Sequence, residues 1–166
     1  MQTDRDLRIA IVGNSSSGKT TISRYLLSQT NLPYHSIDAI SWDGNGELIS
    51  EEVRKEKHIE IAAGTRWIID GNSNQSLARA THIVYLNTER LTCFVRCIVR
   101  AFALKLRFKT DFIPFPVSRL PSNLKFIWNF SGIFGNKLDE MALKDDRFII
   151  LSRGYDKLYV YNSVKI

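Results

Sequence analysis

The chain has 166 residues, is 44% hydrophobic, and sets 23 lysines and arginines against 17 acidic residues, for a formal net charge of +6. That length gives one domain a substantial core and is too short for two full ones. No run of about 18 apolar residues offers a membrane span, and Asp4, Arg5 and Asp6 stand where a secretory leader would need its apolar core, so a cytoplasmic protein with no membrane partner is expected.

The first predicted element is a short β-branched run, Ile9 to Val12, of the kind that forms a strand covered on both faces. It leads into Gly13, Asn14, Ser15, Ser16, Ser17, Gly18, Lys19, Thr20 and Thr21, which satisfy the Gly-x4-Gly-Lys-Thr spacing of a phosphate-binding loop. Glycines at those places let the backbone curl its N–H groups inward, and the helix that follows adds its N-terminal dipole. The expected nucleotide-binding set is therefore residues 13 to 21. Within it, Lys19 neutralises the β- and γ-phosphates of ATP and the Thr20 hydroxyl ligates Mg2+.

Thr20 to Gln29 is expected to be helical, with Ile22, Leu26 and Leu27 on the sheet and Ser23 and Arg24 outward. Pro33 to Ile37 reads as a second strand that places Asp38 at its C-terminal end, facing a ligand or capping a turn. Trp42, in the turn-rich loop that follows, either walls an acceptor pocket or packs beneath the loop. Ser50, with Glu51 and Glu52 behind it, opens a helix to about Ala63. The run Arg66 to Gly71 is a third buried strand tipped by Asp70, which either holds magnesium through water or belongs to an ordinary Asp-Gly turn. A short connection leads to a fourth strand, Thr81 to Leu86.

Thr88 is expected to cap a long helix with Leu91, Val95, Ile98, Phe102 and Leu106 along one apolar face. Arg96, Arg100 and Arg107 line another, either as a solvated row or as a clamp on a transferring phosphoryl group. Cys93 and Cys97, four apart, read as buried or partly buried thiols rather than a disulfide. Residues 90–125 hold eight basic residues against Asp111 alone, which points to a polyanionic partner, nucleotide or nucleic acid. Pro114, Pro116 and Pro121 keep residues 108–121 from forming a regular helix, as suits a cover over the site, and 101–145 is read as a lid or insert within the single domain. Ser122 or Asn123 caps a helix through Trp128, Gly132 and Gly135 mark a break, and Lys137 to Leu143 is helical. Arg147 to Leu151 is the fifth strand, Arg153 is a candidate to stack on a base, and Tyr155 to Val164 closes the chain as helix or strand.

Gly-x4-Gly-Lys-Thr, Ser36-Ile37-Asp38 with Trp42, Trp67-Ile68-Ile69-Asp70-Gly71-Asn72, the Arg96-x3-Arg100 helix and Phe126-Ile127-Trp128-Asn129-Phe130 together resemble the topology modulation proteins, P-loop proteins related to adenylate kinases. The resemblance implies an α/β fold of three layers, a five-stranded, mostly parallel sheet flanked by helices with a lid, and kinase-like chemistry on ATP and Mg2+. It implies that Asp70 matches the aspartate of the kinases' Asp-Gly motif, Arg96 and Arg100 the lid-proximal arginines, and Asp38 the acidic residue after the second strand. Nucleoside monophosphate kinases continue Asp-Gly with an aromatic, a proline and an arginine, whereas this chain has Asn72-Ser73-Asn74 and no arginine before Arg79. The expected function is a small-molecule or nucleotide kinase. The alternative is a nucleotide-binding regulatory protein of little kinase activity that contacts nucleic acid through Phe102 to Lys125.

Overall fold

Four short apolar runs and a three-residue polar edge segment become five parallel strands: β1 (Leu7–Gly13), β2 (Tyr34–Ser36), β3 (Arg66–Asp70), β4 (His82–Leu86) and β5 (Phe148–Leu151), in the order β2-β3-β1-β4-β5, with β2 the polar one. The computed structural model describes residues 6–41, 43, 47–105, 119–152 and 157–164. Because side chains alternate along a strand, Ile9 and Ile11 of β1 enter one core layer and Ala10 and Val12 the other. The first layer is closed by Ile22 and Leu26 of α1 (Lys19–Gln29) and by Val160 and Val164 of α8 (Lys157–Val164). The second is closed by Ala62 of α3 (Glu51–Ala63), Leu77 of α4 (Asn74–Arg79), Phe130 of α6 (Leu120–Phe130) and Leu138 of α7 (Asn136–Ala142).

Several expectations are corrected. Ser23 does not face outward; it is fully buried, and its hydroxyl donates to the Lys19 carbonyl at 2.9 Å, which satisfies the group within α1. Leu27, expected on the sheet, is exposed. The second strand stops at Ser36, whose side chain accepts from Ala39 N and caps the short helix α2 (Ile37–Ile40), so Asp38 lies in a first helical turn. The connection before β4 contains α4. Gly132 and Gly135 do not break the chain: Ser131–Gly135 is one π-helical turn that joins α6 to α7 without interruption. Pro121 sits in the first turn of α6, where its missing N–H costs nothing, and the Ser122 hydroxyl donates to the Arg119 carbonyl instead of capping.

The largest correction concerns α5 (Arg90–Lys105). Leu91, Val95 and Phe102, expected in the core, are 68%, 59% and 57% exposed, and the buried stripe is Cys93, Cys97 and Ala101. Those small side chains let α5 lie close against Ile127 of α6 and beside the loop after β1. Leu106 and Arg107 lie outside the described residues, as do Trp42 and Arg153. Of the stretch read as lid or insert, 106–118 is likewise outside, while α6 and α7 contribute to the core.

Candidate functional site

β1 ends in a turn whose backbone only small residues tolerate. Gly13 has φ +147°, and a Cβ there would meet the Leu86 carbonyl oxygen at 2.7 Å. Ser16 and Gly18 also take positive φ, 59° and 111°. No side chain caps α1 at Gly18, and although Thr21 N is bonded to Gly18 O at 3.0 Å, the start of the helix turns N–H groups toward an anion. The Ser17 hydroxyl is buried with no partner among the described residues, and the Ser16 hydroxyl lies beside the Cys97 thiol. A concave backbone with such donors fits a polyphosphate.

Lys19 curls back over this loop, its Nζ donating to Asn14 O at 2.8 Å and Gly13 O at 3.2 Å. Asn14 itself is buried and structural: its Nδ2 donates to Ile127 O at 3.1 Å, and its Oδ1 accepts from Ser15 N at 2.7 Å. Thr21 is exposed on α1.

Across the loop from β1, the tip of β3 brings Asp70 to Thr20. Thr20 Oγ1 donates to Asp70 Oδ2 at 3.2 Å, and the Tyr34 hydroxyl donates to the same oxygen at 3.3 Å. Burial pushes the Asp70 carboxyl above the usual carboxylate range, an effect that Lys19 opposes and Asp38 reinforces. Burial, with Asp70 beside it, raises the Tyr34 hydroxyl to about 12. A hydroxyl and a carboxylate so placed fit a hard divalent cation. No cluster of three or more His, Cys, Asp or Glu exists among the described residues, so the remaining ligands would be water and nucleotide oxygens, as magnesium favours.

From the opposite flank, Arg96 Nη1 and Thr88 Oγ1 both donate to Ser17 O at 3.2 Å. Thr88 therefore ties the start of α5 to the loop rather than capping the helix. Burial lowers the Arg100 guanidinium, and Cys97 and Asp38 counter that shift, which places Asp38 within electrostatic reach of both Arg100 and Asp70. Lys19, Thr20, Asp70, Arg96, Arg100 and Asp38 thus converge on one end of the sheet, the carboxyl ends of β1, β2 and β3.

No family model matches the chain, and no curated protein does. Solved structures do. A sugar kinase from Janibacter sp. HTCC2649 has a TM-score of 0.51 at 18% identity over 95% of this chain and 91% of its own. A shikimate kinase from Bacteroides thetaiotaomicron has 0.53 at 16% over 96% and 94%, and a gluconokinase from Sinorhizobium meliloti 1021 has 0.52 at 14% over 95% and 89%. The fold is that of the P-loop kinases.

Sequence reasoning missed three members of the site. Tyr34 opens the short edge strand β2, Thr88 follows the fourth strand, and Asn72 follows Asp-Gly. Asn72 Oδ1 accepts from Gly13 N at 3.0 Å, and its Nδ2 donates to Gly13 O at 3.0 Å. The signals for Asn72 are a carboxamide directly after a strand-ending turn and its place in the Trp67-to-Asn72 motif, neither of which points to Gly13.

Proposed function

We propose that the protein is a magnesium-dependent small-molecule kinase, holding ATP on residues 13–20 and transferring its γ-phosphoryl group to a hydroxyl near Asp38. The observation that carries this reading is the Thr20–Asp70 contact at the lip of a loop with three positive-φ residues. Backbone N–H groups of Ser16, Gly18 and Lys19 bind phosphate oxygens while those of Ser15 and Ser17 stay on Asn14, and the Lys19 ammonium leaves its two carbonyls to neutralise the phosphates. Magnesium, when bound, would offset charge on the β- and γ-phosphates; Thr20 would hold it directly and Asp70 through water. Arg96 and Arg100 lie on the flank where charge develops during transfer. Asp38 orients the acceptor hydroxyl and accepts its proton. Arg153 is proposed to stack on the base.

Two facts favour a hydroxyl acceptor over a nucleoside monophosphate. Asp70 is followed by Gly71-Asn72-Ser73-Asn74 with no cation, and Arg79 is exposed at the far end of α4. Three structural neighbours are named for action on a sugar, shikimate and gluconate, which supports the same acceptor class. The proposed kinship with the topology modulation proteins within the P-loop kinase fold rests on the motifs from Trp67 to Asn72 and from Phe126 to Phe130.

The test is purified protein with ATP, Mg2+ and a panel of sugars, sugar acids, other small hydroxy acids, nucleosides and nucleoside monophosphates, beside Lys19→Ala. Product formed on a hydroxyl compound and lost in the variant is expected. Phosphorylation of nucleoside monophosphates alone would overturn the acceptor assignment, and failure to bind ATP would overturn the whole reading.

A further inference from the structure

We propose that Asn72 is a positioning residue of the phosphate loop: its carboxamide holds Gly13 and keeps the Gly13 carbonyl bonded when Lys19 leaves it for a polyphosphate. The inference rests on the ATP-binding role given to Lys19 above. Pairing of β1 with β3 ends at Ile11 opposite Asp70, and one further backbone bond, Gly71 N to Ile11 O at 3.0 Å, closes the ladder. The chain then turns away at Gly71, whose φ is +135° and where a Cβ would stand 2.6 Å from Ile37 Cβ. Gly13, two residues beyond the last rung, is buried, and its peptide groups have lost the strand that would have paired them on this side. The Asn72 side chain takes that strand's place, presenting an acceptor to Gly13 N–H and a donor to Gly13 C=O, each at 3.0 Å. A carboxamide, with its N–H donor and C=O acceptor on one planar amide, reproduces a peptide group.

The bonding around Lys19 gives this clasp its function. The ammonium rests on two carbonyls, Gly13 O and Asn14 O. Each has a second donor: Asn72 Nδ2 for Gly13 O, and Ser17 N at 3.3 Å for Asn14 O. Lys19 can therefore swing to a phosphate without stranding a carbonyl, a loss that would otherwise count against nucleotide binding. Asn72 touches no phosphate itself and acts through Gly13 and Lys19.

The test compares ATP dissociation constants, by calorimetry, for the wild type, Asn72→Ala, Asn72→Ser and Asn72→Asp, each also combined with Lys19→Ala. Thermal melts confirm that the proteins are folded at the temperature used. Asn72→Ala is expected to weaken ATP about tenfold, and Asn72→Ser less. Asn72→Asp keeps the acceptor for Gly13 N–H but sets a carboxylate oxygen against Gly13 O and beside the Lys19 ammonium, giving it a competing anion. It is expected to bind more weakly than Asn72→Ala when Lys19 is present and no more weakly when Lys19 is absent. A merely structural role would lower the melting temperature and leave these affinities unchanged. Affinities equal to wild type, or an Asn72→Asp excess that persists without Lys19, overturn the inference and leave the kinase reading standing. Failure of the wild type to bind ATP strikes the kinase reading first and this inference with it.

Discussion

Asp70 sits almost wholly inside the protein, so its charge works against the nucleotide-free fold even as it serves the proposed site. Thr20 and Tyr34 each give its Oδ2 one donor, while burial, reinforced by Asp38, pushes the carboxyl up against the pull of Lys19, Ser23 and Thr20. Asp70→Asn is accordingly expected to raise the melting temperature of the nucleotide-free protein by a few degrees, on the order of 1 kcal/mol, and to weaken binding of ATP with Mg2+ more than binding of ATP alone. Paired thermal melts and calorimetry with and without Mg2+ check both halves. The positions of Lys19, Thr20 and Asp70 are legible in sequence because a glycine-rich loop of fixed spacing and a strand's end set them. Tyr34 and Asn72 are not, since each matters through a partner 36 or 59 residues away, and nothing local distinguishes a tyrosine that meets a carboxylate from one that packs.

Among the elements, α5 shows how periodicity finds a helix without orienting it. Leu91, Val95 and Phe102 make the stronger apolar stripe by residue size, yet Cys93, Cys97 and Ala101 face inward, because a helix that must bring Arg96 to Ser17 O needs a thin side next to the loop. Leu91→Ser on the exposed stripe is expected to change stability by less than about 0.5 kcal/mol, whereas Ile127→Ala, opposite the cysteines, costs about 2–5 kcal/mol. Urea titrations of the two variants measure the contrast. A second junction joins α4 to β5: Arg147 Nη1 donates to Ala80 O at 2.8 Å and Leu77 O at 3.3 Å, and its Nη2 meets Asp145 Oδ2 at 2.6 Å. Arg147's hydrogen bonds hold the Asp145 carboxyl below its ordinary range. A depressed carboxylate contributes stability that is present above its unfolded pKa and lost as pH falls through the folded one. Both groups are partly exposed, which limits that contribution to about 1 kcal/mol or less. Arg147→Ala should therefore destabilise at neutral pH and flatten the acid side of the stability curve, as urea midpoints from about pH 6 to about pH 3 would reveal.

For the molecule as a whole, the proposed site lies at the carboxyl ends of the central strands, so a ligand there braces β1, β3, α1 and α5 together. ATP at about a hundred times its dissociation constant adds about 2.7 kcal/mol to the folded state, a rise of roughly 5–10 °C for a chain of this size. Lys19→Ala should abolish most of that shift in a thermal melt with ATP and Mg2+. The sequence by itself determined the four apolar strands, the glycine-rich loop and the α/β class, because each follows from a short apolar run or from glycines and a lysine at fixed spacing along a contiguous stretch. Only the tertiary structure decided which face of α5 is buried, that the chain stays helical through Gly132 and Gly135, and that Asn72 completes the loop at Gly13. Those outcomes depend on which segments meet once the sheet has formed, and the energy of a close approach or a satisfied carbonyl belongs to the pair rather than to either residue's neighbours in the chain.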